Sequence, residues 1–169
     1  MPKEVFDNIS QTKGELEKIP TVKYKAVYGY KMAILWRIYN EVVIVDKRKS
    51  DPKSAEFDYS TFYQSKSGAL LLDDNFDEFV HKNEFWLLPY SLFCFFREKY
   101  QTNQFKNWPS EIARAFTNDS IDRKETVSKL IETAGNLASR GESKFDITFF
   151  MWVQYVCYTQ FHKAKKYSV

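Results

Sequence analysis

The residues able to do chemistry are few and scattered. His81 and His162 stand far apart, and neither has a His, Cys or Asp beside it at ligand spacing, so they predict no metal site and read as surface or helix-end side chains. Cys94 and Cys157 each lie among apolar residues, in Leu92-Phe93-Cys94-Phe95-Phe96 and Tyr155-Val156-Cys157-Tyr158, which predicts buried thiols in a reducing compartment rather than a disulfide. The five glycines occur singly, without the clustering that lets backbone amides cradle a phosphate. No nucleophile elbow or Cys–His pairing stands out. The acidic group Asp73, Asp74, Asp77 and Glu78 fits the first turn of a helix, where the dipole favours negative charge, more simply than it fits a cation site. These side chains predict a protein that binds and does not catalyse, with no cofactor, no metal and no small-molecule substrate.

The scaffold expected to position them is a folded one. With 169 residues, 44% hydrophobic and 18% aromatic, the chain can bury a real core. Fifteen Phe, eleven Tyr and four Trp exceed what one small core usually hides, which points to aromatics on a surface that meets a partner. The net charge of +3 permits contact with nucleic acid without demanding it. The opening Met1-Pro2-Lys3-Glu4-Val5-Phe6-Asp7 reads as neither a secretion signal nor a transit peptide. The apolar runs Phe85 to Phe96 and Ile147 to Tyr158 fall short of the roughly eighteen residues a membrane helix needs. An intracellular, soluble chain without a membrane partner is the expectation.

Along the chain, Thr12 and Glu15 have capping-box spacing before Pro20, suiting one short helix in residues 1–20. Two readings compete for Val22 to Val45. Met32, Leu35, Trp36, Tyr39 and Val42 recur at helical spacing, whereas Glu41-Val42-Val43-Ile44-Val45 looks like a strand, so a helix from Lys31 to Asn40 is expected with room for a small β element near residues 22–46. Lys47-Arg48-Lys49-Ser50-Asp51-Pro52-Lys53-Ser54 marks an exposed basic loop. Asp73 or Asp74 then caps a short helix through Phe76, Phe79 and Val80, and Pro89 opens a second with Leu92, Phe93, Phe96 and Tyr100 on one face. Pro109 opens a third, with Ile112, Ala113 and Phe116 inward. Asp122 and Glu125 lead a fourth, whose stripe is Val127, Leu130, Ile131, Ala134, Leu137 and Ala138 and whose stop is Gly141. Asp146 caps a last helix to about Lys166, apolar around most of its circumference. The fold class is therefore mainly α, a helical bundle, with a docking or extension region over 1–70 and a helical domain over 71–169.

Within that domain the stretch from about 92 to 140 resembles a homeodomain-like three-helix unit. Phe96 and Tyr100 correspond to its first-helix aromatics, Phe105 to the linker aromatic, Ile112-Ala113 with Phe116 to the second helix, and Val127, Leu130 and Ile131 to the buried positions of the recognition helix. Leu130-Ile131 replaces the family's Trp-Phe, and registering on Val127 puts Lys129, Glu132, Thr133 and Asn136 at base-facing positions, with Thr133 where the family has its adenine-reading Asn. Between Arg97 and Lys144 nine Lys/Arg face seven acids, a weak bias for a domain that wins affinity from phosphates. Enzymes that methylate adenine amino groups carry an Asp-Pro-Pro-Trp-type tetrapeptide, whereas Asp51-Pro52 here is followed by Lys53-Ser54. Taken together, the chain resembles the homeobox-like accessory subunits of ciliate DNA adenine-N6 methyltransferase complexes.

That resemblance implies a nuclear, non-catalytic subunit that binds protein partners and holds duplex DNA weakly and without sequence preference. Its DNA contacts would come from Lys124, Lys129, Thr133, Asn136, Arg140 and Lys144, with the positive track extended by Lys47, Arg48 and Lys49 or by the Lys163 to Lys166 tail. A second reading stays open. The chain could be a structural supernumerary subunit of a large assembly, such as a protist mitochondrial complex on its matrix side, with the aromatics as adhesive surface and no nucleic-acid role. An enzyme is the third.

Overall fold

The computed structural model describes residues 3–18, 21–40, 74–117 and 124–167. The described residues are helical and contain no strand, so the protein is mainly α. The chain divides into two compact units, Met1–Ala55 and Glu56–Val169.

In the first unit α1, Lys3–Glu17, packs against α2, Tyr24–Ile38. Helix α1 starts well before Thr12, which therefore lies mid-helix instead of capping. Lys13 and Glu17 pair across one turn at 3.6 Å, both exposed, so the bond adds little. Helix α2 contains most of the helix expected from Lys31 but begins at Tyr24, which displaces the proposed β element from 24–38. Its one-sided burial explains the choice: Met32 and Tyr39 are buried, and Tyr39 stacks on Trp36 with ring centroids 5.6 Å apart. Side-chain packing of this kind overrides the strand preference of scattered Val and Tyr. The Glu41 to Val45 run and the Lys47 to Ser54 loop lie outside the described residues.

The second unit is built on α3, Asp74–Tyr100, one continuous helix where two were expected. Pro89 sits inside it, not at a first turn. Proline removes one helical N–H and crowds the carbonyl four residues back, at a cost of about 3 kcal/mol. The helix continues because its apolar stripe crosses the proline unbroken: Phe76, Phe79, Val80, Leu87, Leu88, Leu92, Phe95 and Phe96 are all buried. Each such side chain contributes on the order of 1.5–3 kcal/mol, so the stripe outweighs the local defect.

After α3 the chain turns through Gln101, which takes a left-handed φ of 54°. A 3₁₀ turn, Phe105–Asn107, leads to α4, Ser110–Ala115, and then α5, Lys124–Ser139. Pro109 flanks α4 as expected. Helix α5 buries Val127, Leu130, Ile131 and Ala134, the core of the expected stripe, against α3 and α4. Asp122 lies outside the described residues. Trp108 fills the corner between these pieces. Its ring meets Phe93, Phe96, Tyr100, Phe105 and Phe116 at centroid distances of 5.4–6.5 Å, and its indole N–H donates to the Thr102 carbonyl at 3.1 Å.

Gly141 ends the α5 region as the sequence predicts, with φ of 67°. The Gly141 N–H donates to the Ala138 carbonyl at 3.0 Å and the Glu142 N–H to the Leu137 carbonyl at 2.9 Å, the paired bonds of a Schellman cap. A Cβ there would meet nothing within 4 Å, so only backbone strain opposes a side chain. Gly141→Ala is expected to cost about 1 kcal/mol, read as a lower denaturation midpoint with an unchanged urea slope.

Helix α6, Ile147–Tyr167, returns antiparallel to α3. Contacts in sequence order fix the direction: Lys99 Nζ reaches Glu142 Oε2 at 3.1 Å, Gln154 reaches Tyr90, and Tyr158 meets Phe79. Burial is confined to its first third, Ile147 to Trp152; Tyr158, Phe161 and Tyr167 are exposed. Beyond that third Tyr155 still packs its ring against Phe76 and Phe79 of α3, at 5.4 and 5.5 Å.

Candidate functional site

The residues expected to touch DNA fall on α5, in the turn that follows it and, for the lysine tail, at the end of α6. Lys124 and Lys129 are exposed on α5, whereas Thr133 is half-buried and its hydroxyl donates back to the Lys129 carbonyl at 2.8 Å. Asn136 is exposed near the end of α5. Arg140 and Lys144 follow in the turn, where Arg140 comes within 4.0 Å of Glu142 and Lys144 lies over the Phe145 ring at 5.3 Å. The Lys163, Lys165 and Lys166 group is exposed at the far end of α6. Lys47, Arg48 and Lys49 lie outside the described residues. Cys94 is buried, and burial pushes its thiol pKa up; Cys157, expected to be buried, is exposed on α6.

Among the described residues, the Asp146 carboxyl group has the largest pKa shift. It caps α6, accepting the Phe149 N–H at 2.6 Å and a second bond from the Thr148 N–H. The residue keeps some surface, yet protein surrounds its carboxyl group, and burial raises its pKa from 3.8 to about 6 against the opposing pull of those two N–H groups. A folded-state pKa above the unfolded one means that the folded protein keeps a proton which the unfolded chain has released. Its contribution to stability is therefore fully present below about pH 4 and lost as the pH rises through about 6. Asp146→Asn keeps the capping oxygen without the charge, so it is expected to be relatively more stable above pH 6 and to flatten this step. Urea midpoints of both proteins from pH 4 to 7 check the sign.

A different surface gathers binding groups of one kind. On α3, Asn83, Trp86 and Tyr90 follow at spacings of three and four and so share a face. The Trp86 indole N–H donates to Asn83 Oδ1 at 3.0 Å, and the Trp86 and Tyr90 rings lie 6.3 Å apart. Gln154 of α6 donates to the Tyr90 hydroxyl at 3.1 Å. Four and eight residues further along α6 come Tyr158 and His162, whose rings are 4.1 Å apart, with Tyr158 also 5.0 Å from Phe79 of α3. Trp86, Tyr90 and Tyr158 remain 36%, 41% and 46% exposed. The polar atoms of Trp86 and Tyr90 are partnered while much ring area faces water, an arrangement suited to a ligand that offers both apolar faces and hydroxyl groups. Reading the sequence missed this surface, because Pro89 suggested a helix boundary inside it.

Comparison with known proteins assigns the chain to a family. The family model for 4-alpha-glucanotransferases, glycoside hydrolase family 77, matches residues 2–169, and the chain belongs to that family. It is 28% identical over 169 residues to a 4-alpha-glucanotransferase of Oryza sativa subsp. japonica, covering 99% of this chain and 14% of that protein. It is 26% identical over 126 residues to a 4-alpha-glucanotransferase of Chlamydia muridarum, covering 73% of this chain and 20% of that protein. The chain thus spans a fifth or less of the curated relatives it matches. No solved structure matches it.

This membership overturns the resemblance to a homeobox-like methyltransferase subunit, along with the non-catalytic DNA-associated function, the duplex DNA partner and the exclusion of a small-molecule substrate that followed from it. A family of enzymes replaces the expectation of a protein without catalysis. The physical reason for the false likeness lies in what was matched. Phe96, Ile112 and Val127, Leu130 and Ile131 are buried packing positions, and Tyr100, Phe105 and Phe116 ring Trp108. Any small bundle with two short helices after a long one must fill such places with similar residues.

Proposed function

We propose that the chain works within a 4-alpha-glucanotransferase, an enzyme that moves a 4-α-linked glucan segment from a donor to an acceptor sugar. The observation that carries this reading is the family match across residues 2–169. In such a transfer the donor's C1–O4 bond breaks and C1 bonds to the acceptor's hydroxyl oxygen. The acceptor's proton ends on the departing O4, so no water is consumed. Chemistry of this type is ordinarily run by a pair of carboxyl groups. Of the two shifted carboxyl groups among the described residues, Asp146 is committed to the start of α6 and Glu78 to its pair with Lys82. We therefore assign these helices to scaffolding and substrate positioning.

The test is product analysis. The polypeptide encoded by the gene carrying these residues is incubated with maltotriose and its products are separated by length. Longer and shorter maltosaccharides without a net gain of reducing ends are expected. Unchanged maltotriose, or hydrolysis alone, would overturn the reading.

A further inference from the structure

We propose that the α3–α6 surface formed by Asn83, Trp86, Tyr90, Gln154 and Tyr158 is a binding site for a 4-α-linked glucan chain; the identity of the ligand rests on the glucanotransferase reading. Three features of the surface select a sugar. The first is the pairing of half-exposed rings with neutral amides. A pyranose presents an apolar C–H face to an aromatic ring and hydroxyl groups at its rim, and Trp86, Tyr90 and Tyr158 supply rings while Asn83 and Gln154 supply amide donors and acceptors at that rim.

The second feature is charge. The five residues are uncharged, and Lys82, next to Asn83 in the chain, is paired with Glu78. None of the five residues offers a cation to the phosphates of a nucleic acid stacking its bases on them, whereas a neutral glucan needs none. The third is extent and preorganisation. Asn83 to Tyr90 spans roughly 10 Å of helix, enough for more than one sugar unit, and Tyr90 is held in place by Gln154 at 3.1 Å. Rings fixed before binding cost less entropy to engage than free ones.

The 169-residue chain is titrated with maltoheptaose by calorimetry, with the 4-β-linked cellohexaose as the control ligand. Trp86→Ala and Tyr90→Ala are compared with Tyr24→Ala, an exposed aromatic on α2 outside the surface. Maltoheptaose is expected to bind the wild type in preference to cellohexaose, and each surface substitution to weaken it about tenfold or more, with helical circular dichroism and the Tyr24→Ala affinity unchanged. Absence of maltoheptaose binding by the wild type, or equal affinity in the surface variants, overturns the site. Equal binding of cellohexaose overturns its linkage preference. Maltotriose transfer is scored separately: transfer with an inert surface removes only this site, and surface-dependent binding without transfer removes only the enzymatic reading.

Discussion

Trp108→Ala is expected to destabilise the second unit by about 3–5 kcal/mol, the range for deleting a large buried aromatic. Trp108 is only 4% exposed, and it joins the C-terminal end of α3 to the 3₁₀ turn and α4 through five aromatic neighbours. Two losses combine. Removing the ring leaves a cavity that Phe93, Phe96 and Phe116 cannot all collapse into, since Phe96 is itself locked edge-on to Phe95 at 5.2 Å. Removing the indole N–H also takes a hydrogen bond from the Thr102 carbonyl. A domain of this size is stable by roughly 5–15 kcal/mol in total, so the loss is a large fraction. Trp108→Phe separates the two terms: it retains ring packing and loses the bond, and the expected cost is about 1–2 kcal/mol. Guanidinium denaturation followed by near-ultraviolet circular dichroism measures both. A cost below about 1 kcal/mol for the alanine variant would show that this corner is not a core.

Phe149→Ala is expected to cost about 3–5 kcal/mol for a related reason, acting where the start of α6 meets the C-terminal half of α3. Phe149 is fully buried in the first turn of α6 and stacks on Phe145 at 4.9 Å, with Phe150 and Trp152 within 6.3 Å. Its backbone N–H is also the donor to Asp146, so the same residue couples the helix cap to the core. A control sits on the same helix. Phe161 is 69% exposed, and Phe161→Ala should change stability by less than about 0.5 kcal/mol. Equal effects of the two substitutions would contradict the finding that the buried residues of α6 lie in its first third.

The local signals that survived folding are those with a purely local cause. The Val127-Leu130-Ile131-Ala134 stripe, the positive φ at Gly141 and the Asp146 cap need only one helix and its ends, and all three are present. Expectations that depended on partners fared differently. Pro89 marks a helix start when judged by backbone chemistry alone, yet burial on both sides of it keeps α3 continuous. Trp108 gives no periodic signal, because its neighbours come from α3, the 3₁₀ turn and α4. The Trp86, Tyr90 and Gln154 group was equally hidden, since Gln154 lies sixty-four residues from Tyr90 in the chain.

Function was the least legible. Buried aliphatic and aromatic positions are shared by unrelated small bundles, so the homeodomain-like spacing of Phe96, Tyr100, Phe105 and Val127 carried information about packing and none about ligand. The match across residues 2–169 draws on the whole chain and is not limited to one periodic pattern. By itself, then, the sequence determined a mainly α protein, the face its α5 helix buries, and where α5 ends and α6 begins, because propensity, capping and apolar period act within a few residues. Only the tertiary structure decided that α3 passes through Pro89, that Trp108 closes the core, and that Trp86, Tyr90 and Gln154 meet, because each of those outcomes is set by groups distant in the chain whose burial or bonding outweighs the local preference.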